Sequence, residues 1–332
     1  MMSTILFLHL ISCHAHLDFM FFNPVHCSTI PEGACVNEGD YWDEICVSCE
    51  EPYNWEEEFD WMDETLSDTI PSISSISQDV VEHISMQTLD QKGELDSYYI
   101  PAPANPLYPE FSDILVVYNH GNYAGIEHYL PRVQMLNALG FPVFVWDYRG
   151  YGKSLPETIP TAEEFVVDAN QVFEQALTYL HKDPTSPTQI LAYGFSLGGI
   201  PATEMAVEHQ NTDLFCALIL EAGFTSVNQM LQSATSLDMP GGFLTTGNFE
   251  NDQKLTGFQK PFFYMVGDKD HYFPPDMSQK MIEKVSGYSE FWIVEDTYHG
   301  IANKGVPEAS FENYADHIYQ FLQQAECVAE SL

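Results

Sequence analysis

Apolar residues change their spacing several times along this chain, and each change predicts an element. The segment "VEHISMQTLDQKGELDSYYIPAP", residues 81–103, alternates apolar and polar positions on either side of Asp90 to Gly93, the pattern of a β-hairpin. "DILVVYNHG" and "FPVFVWDYRGYGKS" each open with a short continuous apolar run, as strands buried on both faces do. Between them "EHYLPRVQMLNALG" has helical spacing and closes at Gly140. "EEFVVDANQVFEQALTYLHK" sets Phe165, Ala169, Val172, Phe173, Ala176 and Leu180 on one helical face. The strand "TQILAYG", a helix from Leu197 to about His209, and the strands "CALILEAG", "PFFYMVG" and "EFWIVED" follow. Strands alternating with helices require crossover connections, so the predicted fold class is α/β, a mostly parallel sheet with helices on both faces. Ligands bind such sheets beyond the carboxyl ends of the strands.

Before this body the texture differs. No Lys or Arg precedes Lys92, and residues 32–68 combine acids with Tyr41, Trp42, Tyr53, Trp55, Phe59 and Trp61. The stretch reads as a solvated, disulfide-tied extension in preference to an aromatic cap docked on the body, with "PSISSIS" as its linker. The first residues, "MMSTILFLHLISCHA", hold an apolar run from Ile5 to Ile11 of the length of a signal-peptide core. Leu10 to Cys13 resembles a lipoprotein processing box, which would place a lipid anchor on Cys13, and Ala15 offers an ordinary cleavage site. The organisation is therefore a candidate signal over 1–15, an acidic cysteine-bearing extension and linker over 16–78, and an α/β domain over 79–332. An extracytoplasmic location follows, or a cytoplasmic one if the first segment is not a signal.

Processing leaves six cysteines: Cys27, Cys35, Cys46, Cys49, Cys216 and Cys327. An even set after export suits structural disulfides, with the first four tying the extension. Cys216 lies in an apolar run and reads as an inert buried thiol. Among 332 residues only 11 are Lys or Arg against 49 acids, a formal charge of −38. A field of that sign repels phosphate backbones, which excludes nucleic acid as a partner.

The candidate chemistry lies at "GFSLGG", residues 194–199. A serine between glycines, directly after a buried strand and before a helix, fits a nucleophile elbow. Its sharp turn lifts the hydroxyl of Ser196 clear of the sheet, and the flanking glycines avoid collision with neighbouring backbone. A serine hydroxyl needs a base to take its proton during attack. His299, in "EDTYHG" after the last predicted strand, is placed for that role, whereas His271 and His317 read as surface or packing residues. The orienting acid should end the preceding strand, where "VGDKDHYFP" offers Asp268 and Asp270. Asp270 is preferred, with Asp268 left as a turn residue. The oxyanion of a tetrahedral intermediate needs fixed donors. Leu197 supplies one amide, and Asn122 in His120-Gly121-Asn122 the second, with Tyr123 as fallback. His120 reads as a loop-fixing residue, and "DYRGYGKS" as a tight turn at the pocket edge, since it lacks the spacing of a phosphate loop.

Taken in order, "NHGN", "DYRGYGKS", "GFSLGG", "EAGFTS", "VGDKD" and "YHG" resemble the α/β-hydrolase superfamily over about three quarters of the chain. Within it the sequence is similar to compact members related to serine aminopeptidases and to depalmitoylating or lysophospholipid-cleaving enzymes. The resemblance implies a Ser196, Asp270, His299 triad, an acyl-enzyme and no cofactor or metal. The partner it implies is a small or lipid-like acyl substrate, cleaved at an ester or thioester. The same groups would also serve a peptidase or an acyltransferase, and a binding protein on this scaffold would have lost them. Too few residues separate "EAGFTSV" from "PFFYMVG" for a large lid, so only a minimal cap is expected, with "SLDMPGGFLTTGNFEND" as a short flap.

Overall fold

The structure is a computed structural model that describes residues 35–36, 45–46, 53, 55, 76–226, 249–300, 305–309 and 311–328. The expected signal over 1–15 with Cys13 and Ala15, the side chains of Cys27, Cys35, Cys46 and Cys49, and most of the flap lie outside the described residues. Within the extension, Cys35–Val36 and Ile45–Cys46 pair as a two-stranded antiparallel ribbon.

Eight strands form one sheet: β1 Glu82–Gln87, β2 Glu94–Ile100, β3 Ile114–Asn119, β4 Val143–Trp146, β5 Gln189–Phe195, β6 Phe215–Glu221, β7 Phe262–Gly267 and β8 Ser289–Val294. Their spatial order is β1-β2-β4-β3-β5-β6-β7-β8. Only β2 runs against its neighbours, pairing antiparallel with β1 and with β4, while every later pair is parallel. This order follows from the sequence pattern. The alternating β1–β2 segment makes a hairpin, which the Thr88 and Gly93 backbones close by pairing with each other's main chain and hydroxyl. The continuous apolar runs become the interior strands, and every residue of β3 to β7 except Gln189 is buried.

The helices are α1 Ile126–Leu139, α2 Ala162–Leu177, α3 Gly199–His209, the single turns α4 Asn251–Lys254 and α6 Val306–Ala309, α5 Pro275–Ile282 and α7 Phe311–Gln324. Helices α2, α3 and α5 cover one face of the sheet and α1 and α7 the other, each face forming its own apolar core. Phe165, Ala169, Val172, Phe173 and Ala176 are the buried stripe of α2. The helix stops at Leu177, short of the predicted Leu180, which still packs into the same core from the turn that follows. Its start is fixed by a capping box in which Thr161 Oγ1 accepts from the Glu164 amide and Glu164 accepts from the Thr161 amide.

Two expectations are corrected. Cys216 is not a free thiol: it is bonded to Cys327, so the start of β6 is tied to the end of the chain just beyond α7. Nor are all the aromatics of the extension solvated. Tyr53 and Trp55 are buried on the α1 face against Tyr98, at ring distances of 5.5 and 5.3 Å. Gln134 of α1 donates to the Trp55 carbonyl at 3.1 Å, and the Lys153 ammonium lies 3.8 Å from the Tyr53 ring centre. Once two large rings can shed water against an existing apolar face, burial outweighs the solvation of the acids around them.

Both arginines of the chain are buried in ion pairs. Arg149, after β4, holds Asp168 of α2 through two bonds of 2.7 and 2.8 Å and reaches Asp90 of the hairpin turn at 2.9 Å. Arg132 of α1 meets Glu221 at the end of β6 at 2.5 Å.

Candidate active site

Strand β5 ends at Phe195 and the chain turns through Ser196–Gly198 directly into α3. Ser196 is held at φ +52°, a left-handed conformation that costs an L-residue free energy and persists only where its surroundings impose it. The surroundings do so by close approach. A β-carbon on Gly194 would come 2.5 Å from the Gly198 carbonyl oxygen, and one on Gly198 would come 2.0 Å from the carbonyl oxygen of Asn119 at the end of β3. The two glycines therefore let the elbow close on itself and press against the strand that carries the His120-Gly121-Asn122 loop.

The structure brings Ser196, His299 and Asp270 together. Ser196 Oγ lies 2.9 Å from His299 Nε2, and His299 Nδ1 lies 2.8 Å from Asp270 Oδ2. With Nδ1–H donating to the carboxylate, Nε2 is left to accept from the serine hydroxyl. All three are buried, and the histidine ring sits among Phe195, Tyr272 and Phe273. Asp270 Oδ1 also accepts the amides of Tyr272 and Phe273 at 2.8 and 3.0 Å. Burial alone would push the Asp270 carboxyl up, but His299 and the two amides outweigh it and hold the carboxyl below its ordinary value. The acid therefore stays ionised.

Asp268 is exposed and accepts from the Thr297 amide at 3.1 Å, tying the acid loop to the histidine loop without touching the imidazole. His271 is exposed in the acid loop. His317 stacks on Trp292 at 4.0 Å and bonds the Asn313 carbonyl. Neither joins the three.

On the β3 side, Asn122 Oδ1 accepts from Tyr151 Oη at 2.5 Å, which fastens the predicted oxyanion loop to the turn after β4. A β-carbon on Gly121 would meet the Phe195 ring at 3.1 Å, so this loop rests on the residue before the nucleophile. Leu197 sits at the N-terminal end of the elbow turn, where amides have no partner within the turn. Tyr123 is buried, with its ring edge-on to His128 at 5.2 Å. His120 is fully buried, stacked on Tyr148 at 4.1 Å, with Nε2 3.3 Å from Asp147. Asp147 in turn accepts the Ile126 amide at the start of α1, and Tyr148 donates to the His120 carbonyl at 2.6 Å. The residues around "DYRGYGKS" thus fasten loops at the rim of the site. Among the described residues no three His, Cys, Asp or Glu side chains gather as a metal site, and no helix is long and apolar enough to cross a membrane.

The Arg132–Glu221 pair and the Cys216–Cys327 bond were not expected from the sequence, and docked aromatics, seen at Tyr53 and Trp55, were ranked below a solvated extension. The first had a signal: an acid ending a strand that is otherwise wholly apolar, in a chain with only two arginines, needs a buried cation.

A sheet in this order, with a strained serine after β5, an acid after β7 and a histidine after β8, is the arrangement of the α/β-hydrolase fold, and the chain adopts that fold. The sequence profile of the serine aminopeptidase S33 family matches residues 112–240. Protein Bem46 of Schizosaccharomyces pombe is 33% identical over 200 residues, which span 58% of this chain and 62% of Bem46. Among solved structures, esterase Pf2001 of Pyrococcus furiosus superposes with a TM-score of 0.58 at 17% identity, over 74% of this chain and 91% of the esterase. Est1E of Butyrivibrio proteoclasticus, solved with ferulic acid bound, gives 0.54 at 17% identity, over 74% of this chain and 99% of Est1E.

Proposed function

We propose that the protein is a serine hydrolase that cleaves carboxylic esters or thioesters through an acyl-enzyme on Ser196. One observation carries the reading: a hydroxyl on a strained turn, hydrogen bonded to an imidazole that is itself oriented by an ionised, buried carboxylate. Ser196 Oγ attacks the acyl carbonyl while His299 Nε2 takes its proton. The imidazolium then gives that proton to the departing alkoxide or thiolate as the bond to the leaving group breaks. Water repeats the sequence against the acyl-serine and releases the acid. Asp270 holds the imidazole tautomer and stabilises the imidazolium without taking the proton. The amides of Leu197 and Asn122 receive the oxyanion. The esterase structures that share the fold support the ester reading. The serine aminopeptidase profile favours a second one, peptide hydrolysis by the same groups.

The disulfide between Cys216 and Cys327 supports an oxidising, extracytoplasmic setting. A fluorophosphonate probe is expected to label the wild type and to leave Ser196→Ala unlabelled. A panel of short-chain nitrophenyl esters, thioesters and aminoacyl amides then separates the two readings. Equal labelling of both proteins, or no turnover across the panel, would refute the assignment.

A further inference from the structure

The Arg132–Glu221 pair borders the residues next to Ser196 and His299, and this inference rests on the serine-hydrolase reading of the site. Arg132 approaches two of their neighbours at once. Its guanidinium carbon is 4.1 Å from the centre of the Phe195 ring, and Phe195 immediately precedes Ser196. It also packs on Gly300, immediately after His299, so closely that a β-carbon there would come 2.7 Å from an Arg132 terminal nitrogen. Gly300 has φ +97°, which makes glycine the residue suited to that approach.

Phe195 is the common wall. One of its contacts is the guanidinium, another is the His299 ring at 5.4 Å, and a third is the Gly121 backbone of the oxyanion loop. Planar cations stack on aromatic faces, so the guanidinium fixes the tilt of this ring. Glu221 fixes the guanidinium through the 2.5 Å bond to its Oε1, while its Oε2 accepts from Tyr193 Oη at 2.6 Å. Tyr193 Oη lies 3.0 Å from Tyr314 Oη on α7. The charged and titratable groups facing the pair are Tyr118 and Tyr193 from the sheet, Tyr129 and His128 from α1, and Tyr314 from α7. Burial, with Arg132 and His120 adding to it, holds His128 down to about 4, so Arg132 and Glu221 are the only fixed charges among these groups near neutral pH.

A buried ion pair is a poor way to gain stability, because desolvating both charges cancels most of their attraction. Here the pair is anchored to α1 and β6 and touches the residues flanking both Ser196 and His299. We propose that Arg132, held by Glu221, is the positioning residue of the site: it clamps Phe195 and Gly300 and so sets the register of the serine against the histidine. It touches no reacting atom and acts through those two neighbours.

The test compares Arg132→Lys, Glu221→Gln and the double variant Arg132→Met with Glu221→Met, using nitrophenyl acetate. The double variant removes both charges together and leaves no uncompensated ion, so the fold is retained. Its kcat is expected to fall 10- to 100-fold with KM within about twofold, the cost of a misplacement of about 1 Å. Arg132→Lys keeps the charge without the planar stack and should recover only part of kcat. Glu221→Gln weakens the anchor of the guanidinium and should lower kcat by a smaller factor than the double variant, again with KM nearly unchanged. Wild-type kcat in the double variant, or full recovery of kcat in Arg132→Lys, would overturn the inference. Turnover that survives Ser196→Ala would instead overturn the reading beneath it.

Discussion

Replacing Ser196 by glycine and by alanine isolates the strain in the elbow, because both variants lack the hydroxyl and its bond to His299. At an ordinary position alanine is the more stabilising of the two by about 0.5–1 kcal/mol, since glycine has more unfolded-state freedom to lose. At φ +52° the balance reverses. A β-carbon in the left-handed region costs about 1–2 kcal/mol that glycine does not incur. The two terms leave Ser196→Gly more stable than Ser196→Ala by about 0.5–1 kcal/mol, while both are inactive. Urea unfolding at equal m-values reads this directly as a higher midpoint for the glycine variant. A midpoint for alanine equal to or above that of glycine would mean that the turn is not strained, and the account of how the hydroxyl is presented would fail.

Asp270→Asn should lower kcat by about 10³–10⁴-fold, the scale set by losing the correct imidazole tautomer. The folded protein holds the Asp270 carboxyl below its ordinary value, so its contribution to stability is present above the unfolded value of about 4 and lost as pH falls through the folded one. The stability gap between wild type and Asp270→Asn should accordingly narrow below about pH 4, and a constant gap would contradict the ionised assignment. Trp55→Ala should cost about 3 kcal/mol by thermal or urea unfolding because the indole is wholly buried, whereas a loss under about 1 kcal/mol would show that the extension is not docked. Cys216→Ser with Cys327→Ser should lower stability by about 2–4 kcal/mol, and unchanged unfolding under reducing conditions would remove the cross-link from the account.

The body of the fold was legible because each local signal agreed with the sheet as a whole. Continuous apolar runs at 114–118, 190–195, 216–220 and 262–266 have one stable environment, the interior of a covered parallel sheet. Ser196 was legible because glycine at 194 and 198 is needed where a β-carbon would come within about 2.5 Å of neighbouring backbone. His299, and an acid at 268 or 270, could be placed by chain order, since each follows a recognisable strand. The choice between Asp270 and Asp268 is different, because two acids two residues apart present identical chemistry. Only the turn decides which one accepts the Tyr272 and Phe273 amides and faces the imidazole and which accepts from Thr297.

Sequence by itself determined the order of strands and helices, the sharp turn at Ser196 and the types of residue available at each strand end, because these depend on spacing and backbone conformation within a few residues. Tertiary structure alone decided that Arg132 faces Glu221, that Cys216 meets Cys327 and that Tyr53 and Trp55 rest on Tyr98. Those pairings join positions from 43 to 111 residues apart. Nothing in local periodicity records such distances. They follow from which faces the closed sheet leaves available for a charge, a thiol or a ring to escape water.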